Sequence, residues 1–106
     1  MESRREIQVS QAIAQLAGEF LERENPTGAL VTVTHATLTP DMKQATVYLS
    51  VLPATREAEA LAAAKRARTD FRSYIKDKSF LHPLPFVDFE IDYGEKNRQR
   101  IDELTR

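Results

Sequence analysis

With 106 residues, 42% hydrophobic and 29% charged, the chain has room for one folded domain but not two cores, and it is too apolar for a disordered polymer. It contains no cysteine, which excludes disulfides, thiolate metal sites and cysteine nucleophiles. Its net charge of −1, from 15 basic and 16 acidic residues, gives no global attraction to a polyanion, so a nucleic-acid partner would have to be held by a local concentration of charge.

The first predicted element is a helix. Ser3-Arg4-Arg5-Glu6 reads as a capping box, and Val9, Ile13, Leu16, Ala17 and Phe20 then recur at helical spacing along one face. Asn25-Pro26-Thr27-Gly28 ends it, because Pro26 lacks a donor and disfavours helical geometry in the residue before it. No stretch approaches the ~20 apolar residues of a membrane span, and no apolar leader segment opens the chain. A cytoplasmic location is therefore expected.

Residues Leu30 to Leu38 and Ala45 to Leu52 are rich in Val and Thr and alternate with period two, as strands do. Thr39-Pro40-Asp41-Met42 supplies a turn with proline at its second position, so the pair forms a hairpin. Val31 and Val33 share a parity that Ala36 and Leu38 do not. A bulge near Thr34 and His35 would turn all four inward.

A second helical stretch is predicted from about Thr55 to Lys78, with Ala60, Ala64, Ala67, Phe71 and Tyr74 or Ile75 on its apolar stripe. As one rod it would be about 35 Å long, too long for so small a core, so a kink is expected between Ala67 and Asp70. Thr69 is the weakest helix former there. The Ala58 to Ala64 run permits close helix packing. Phe86 to Asp92 is a third strand, with Val87, Phe89 and Ile91 facing one way and Asp88, Glu90 and Asp92 the other. Residues from about 94 to 106 read as a tail with a short helix carrying Ile101 and Leu104. The sum is one α+β domain over 1–106, a three-stranded sheet covered on one face by helices, with the other face open.

Charge is not spread evenly. Lys65, Arg66, Arg68, Arg72, Lys76 and Lys78 stand against only Asp70 and Asp77, and steps of three and four align Lys65, Arg68, Arg72 and Lys76 along one flank. Phosphates could follow such a flank; the same residues also fit a solvated helix face neutralised by those two aspartates. Arg4 and Arg5 either touch RNA or solvate the first turn, and Arg98 and Arg100 raise the same choice in the tail. Asp88, Glu90 and Asp92 have a spacing open to Mg²⁺, but charges on an exposed strand face more often discourage edge pairing. No metal site and no cofactor is expected. His35 and His82 have no partner at triad spacing, which leaves no catalytic constellation, while His82 offers a ring able to stack on or donate to RNA. Tyr48 reads as an exposed edge residue or a stacking platform.

Read in order, these strings resemble the ribosome-binding factor A family. The likeness runs through Arg4-Arg5 with Ile13, Leu30-Val31-Thr32-Val33-Thr34, Thr39-Pro40-Asp41 and Ala45-Thr46-Val47-Tyr48-Leu49-Ser50-Val51. It continues in Phe71-Arg72-Ser73, Leu84-Pro85, Phe89-Glu90-Ile91-Asp92 and Arg100-Ile101-Asp102-Glu103-Leu104. The resemblance implies a KH-like (type II) fold in the order α-β-β-α(kinked)-α-β. It also implies a monomeric, non-catalytic factor that binds small-subunit ribosomal RNA late in assembly, assisting 5′-end processing and growth in the cold. Ala67-Arg68-Thr69 matches the family's Ala-X-Gly kink, with Thr69 in place of the glycine. The RNA-binding residues expected on this basis are Arg4, Arg5, Lys65, Arg66, Arg68, Thr69, Arg72, Lys76, Lys78 and His82. The competing expectation is a KH-like module that docks mainly on protein.

Overall fold

The computed structural model describes residues 4–94. Ser3 of the capping box, Arg98, Arg100 and the expected tail helix around Ile101 and Leu104 lie outside the described residues. Helix α1 (Arg4–Arg23) buries Val9, Ile13, Ala17, Phe20 and Leu21, and Ser10 joins that face by donating its hydroxyl to the Ile7 carbonyl at 3.0 Å. Beyond α1, the Asn25 side chain accepts from the Thr27 hydroxyl at 2.6 Å and donates to the Ala29 carbonyl at 2.7 Å, while Gly28 takes φ +73°. A left-handed residue flanked by an Asn-centred turn reverses the chain into the sheet.

Strands β1 (Leu30–Leu38) and β2 (Gln44–Leu52) pair antiparallel. The Thr39-Pro40-Asp41-Met42 turn is closed by the Met42 amide on the Thr39 carbonyl at 2.8 Å, and Asp41 accepts from the Thr39 hydroxyl and the Lys43 amide. The register shifts between Val33 and His35, leaving Thr34 as the extra residue, and Val31, Val33, Ala36 and Leu38 all pack toward the core. The bulged Thr34 donates its hydroxyl to Asp92 at 2.6 Å, across the width of the sheet.

A 3-10 turn (Ala54–Arg56) and two helices, α2 (Glu57–Arg66) and α3 (Arg68–Lys78), carry the chain to β3 (Phe86–Ile91), which pairs parallel to β2. A parallel neighbour requires a long crossover, and the two helices provide it. The predicted single helical stretch from Thr55 is thus divided, with the break at Ala67, the first residue of the expected window. Ala67 has φ −91° and ψ 8°. Its amide is shared between the Ala63 and Ala64 carbonyls at 3.2 and 3.0 Å, which tightens and ends α2, and its own carbonyl accepts from the Phe71 amide at 2.8 Å, which starts α3. The bend lets Ala60 and Ala64 on one side and Phe71 and Ile75 on the other reach the same core.

The sheet order is β1-β2-β3. Ile13, Val47, Leu49, Phe71, Ile75 and Phe89 are wholly buried, and the Phe71 ring sits 5.2 Å from Phe20 and 5.5 Å from Phe89, joining α1, α3 and β3. The opposite sheet face carries Thr46, Tyr48 and Ser50 of β2, half-buried and, among the described residues, uncovered by any helix. Tyr48 is not an edge residue, because β2 is the central strand, and the His35 ring stacks on it at 4.6 Å.

Candidate nucleic-acid interface

The helical break at Ala67 aims α3 along the outer edge of the sheet. Between α3, β3 and the start of β2 lies an open cleft of about 670 Å³, lined by Arg68, Thr69, Arg72, Ser73 and Lys76 from the helix and by Thr46, Phe86 and Asp88 from the strands. Three cations against one carboxylate, with hydroxyls between them, form a surface able to follow a phosphate backbone. Helical spacing explains the lining, since 68, 72 and 76 fall at successive steps of four on the flank beside the buried stripe of Phe71 and Ile75.

The cations are not equivalent. Arg72 donates through Nε to the Pro85 carbonyl and through Nη2 to the Leu84 carbonyl, both at 3.1 Å, and its guanidinium lies 4.5 Å from the centre of the Phe86 ring. It clamps the β3 approach while remaining at the cleft wall. Lys65 reaches around the β3 edge to Asp88 at 2.9 Å and Glu90 at 3.1 Å, and Arg68 Nη1 meets the same Asp88 oxygen at 3.2 Å. Arg68 Nε is spent on the Lys65 carbonyl. The hydrogen bond to Asp88 leads in raising the Lys65 pKa above its ordinary value, against the opposing effect of burial. For Asp88, burial pushes upward, but the Lys65 bond, the Phe89 amide and the charges of Lys65 and Arg68 together hold it below the ordinary value. Lys76 is exposed and makes no ion pair among the described residues.

The cationic flank is therefore real in position but not a row of unpaired charges. Its neutralising partners are Asp88 and Glu90, brought from another element by the crossover; Asp70 and Asp77 form no salt bridge among the described residues. Asp88 and Glu90 thus serve Lys65, and among the described residues no three acidic, histidine or cysteine side chains gather in a metal-binding group.

The remaining expected residues lie apart. Arg66 and Asp70 line a second, shallower cleft of about 390 Å³ with Arg23, on the α1 side of the break. Lys78 sits 5.8 Å from the Tyr74 ring centre. His82 is exposed in the α3–β3 loop, and Arg4 and Arg5 are exposed at the start of α1, a helix roughly 30 Å long whose far end is the one that approaches the break. Sequence reasoning missed Phe86, which is 67% exposed beneath Arg72, and missed Asp88 as a member of this site. A large aromatic at the start of a strand after two prolines was the available signal for Phe86.

A family model for Ribosome-binding factor A matches residues 3–105. The chain belongs to the ribosome-binding factor A family. It is similar to the ribosome-binding factor A of Thermobifida fusca, at 35% identity over 98% of this chain and 71% of that protein. Its fold is similar to the crystal structure of ribosome-binding factor A from Thermus thermophilus, with TM-score 0.73, 22% identity, 81% of this chain and 94% of that one. It is also similar to a Thermus thermophilus ribosome binding factor A homology model fitted into the electron cryo-microscopy map of a 30S complex, with TM-score 0.61, 23% identity, 85% of this chain and 93% of that one. The fold is the family's KH-like α+β arrangement.

The resemblance led to the expectation of a glycine where Thr69 stands, yet the break does not depend on glycine. The residue with non-helical dihedrals is Ala67, at negative φ, and Thr69 is already in the first turn of α3. Thr69 lines the cleft.

Proposed function

We propose that this protein binds the small ribosomal subunit during late maturation by setting the α3–β3 cleft against ribosomal RNA. The single observation that carries the reading is the cleft itself, with Arg68, Thr69, Arg72, Ser73 and Lys76 presented by one helix along an open groove. Family membership supports the ribosomal partner, and a relative of the same fold has been fitted into a 30S complex. The mechanism is occupancy. The protein stabilises one conformation of immature RNA through phosphate and shape contacts, breaks no bond, and leaves when the particle matures. Support for 5′-end processing and for growth in the cold follow from holding that conformation, in the cytoplasm where subunits assemble.

Cosedimentation with immature and mature small subunits across a salt series tests this. Binding should favour immature particles and weaken as salt rises, and Lys76→Glu should weaken it roughly tenfold at low salt while leaving the fold intact, because Lys76 is exposed and makes no ion pair among the described residues. A second reading, docking mainly on protein through the open sheet face, has in its favour Leu30 and Leu52, paired across β1 and β2 and both more than half exposed. Binding that ignores both salt and Lys76→Glu would select it.

A further inference from the structure

The donors around Asp88 converge on one oxygen. Lys65 Nζ lies 2.9 Å from Asp88 Oδ1, Arg68 Nη1 3.2 Å, and the Phe89 amide 2.8 Å. Two cations and a backbone N–H aimed at a single oxygen is the donor set a phosphate oxygen takes up, and here a carboxylate of the same chain fills it. Asp88 also lines the cleft, on the wall facing Arg72 and Lys76. We infer that Asp88 is a specificity-determining residue that acts as an internal phosphate mimic, masking Lys65 and Arg68 so that RNA not shaped to fill the cleft is rejected.

The inference rests on the RNA-binding reading above and deepens it. An ion pair whose partners keep between 32% and 50% of their side-chain surface in water is held loosely, so it yields to a competing anion that arrives in register. A single phosphate drifting past meets two cations already neutralised by Asp88 and Glu90, with the Asp88 carboxylate occupying the place it would take. A strand that enters the whole cleft also engages Lys76 and the Arg72 edge, and that extra attraction offsets the repulsion from Asp88. Discrimination comes from this repulsive element, which lowers the affinity for every RNA but lowers it most for those making fewest contacts. It also accounts for a carboxylate standing inside a cationic groove on a chain with no excess positive charge to spare.

The test compares wild type with Asp88→Asn on two probes, purified immature small subunits and a uridine homopolymer, over a salt series. Asn keeps an oxygen for the Phe89 amide while removing the charge. Asp88→Asn should bind the homopolymer roughly tenfold tighter at low salt, with a salt slope steeper by about 1, and should gain less on small subunits. Homopolymer binding equal to wild type, with wild-type subunit binding still salt-dependent, overturns this inference and leaves the RNA reading standing. Wild-type subunit binding that ignores salt overturns the RNA reading, and this inference with it. Circular dichroism checks the fold; if Asp88→Asn is unfolded, Glu90→Gln is measured instead, with about a threefold gain for the homopolymer expected from partial release of Lys65, and no gain overturning the inference.

Discussion

Arg72 illustrates how one side chain answers to both fold and site. Its fork donates to two consecutive carbonyls, Leu84 and Pro85, and its face lies over Phe86, so it fixes the chain leading into β3 while its charge remains at the cleft. Lysine at this position keeps the charge but cannot reproduce the planar fork or stack as well. Arg72→Lys should therefore cost about 1–2 kcal/mol of stability, read by urea unfolding, and leave the salt slope of RNA binding unchanged. A stability equal to wild type would show that the clamp contributes nothing, and a shallower slope would show that guanidinium geometry is part of phosphate recognition. The contrast with Lys76 matters for interpreting charge reversals. Arg72→Glu would break the clamp and the site together, whereas Lys76→Glu changes only the field in the cleft.

At the scale of elements, the decisive feature is the break between α2 and α3, because it turns α3 along the sheet edge and creates the cleft. The break is carried by Ala67 through its ψ near zero and a shared amide, so a glycine at position 69 should not sharpen it. Thr69→Gly should instead loosen the first turn of α3, costing no more than about 0.5 kcal/mol in thermal unfolding, with backbone amide chemical shifts around Ala63 and Ala64 unchanged. Large shifts there would mean that residue 69 does set the angle. The elements themselves were legible in the sequence: the Val and Thr alternation marked both hairpin strands, the parity switch between Val33 and Ala36 marked the bulge, and the length of the Thr55 to Lys78 stretch demanded a bend. The site was legible only in part. Periodicity places Lys65, Arg68, Arg72 and Lys76 on one flank, but it carries no information about what a crossover brings alongside, and so the only neutralising neighbours it could offer were Asp70 and Asp77 in the same helical stretch. The actual partners, Asp88 and Glu90, are some 20 residues downstream on a strand whose pairing with β2 is a tertiary fact.

For the whole molecule, a net charge of −1 means that stability and binding are governed by where charges sit and not by their sum. The Lys65, Arg68, Asp88 and Glu90 group ties the α2–α3 break to the edge strand, and it responds to pH at both ends. The folded-state Asp88 pKa lies below its ordinary value of 3.8, so the stability it contributes is present above that value and is lost as pH falls through the lower folded one. Lys65 is raised above 10.5, so its contribution is complete below that value and is lost as pH rises through the higher folded one. Between these limits the tie is constant, and because Asp88 keeps 41% of its side chain exposed the screened contribution is no more than about 1 kcal/mol. Asp41, lowered chiefly by the Thr39 hydroxyl and the Lys43 amide, adds to the acid-side loss in the hairpin turn. Thermal unfolding of wild type and Asp88→Asn should accordingly differ by a constant small margin from about pH 5 to pH 9. That margin should close in strong acid, where wild-type Asp88 becomes as neutral as the asparagine, and a margin that persists there would show that the aspartate stabilises the edge by something other than its charge.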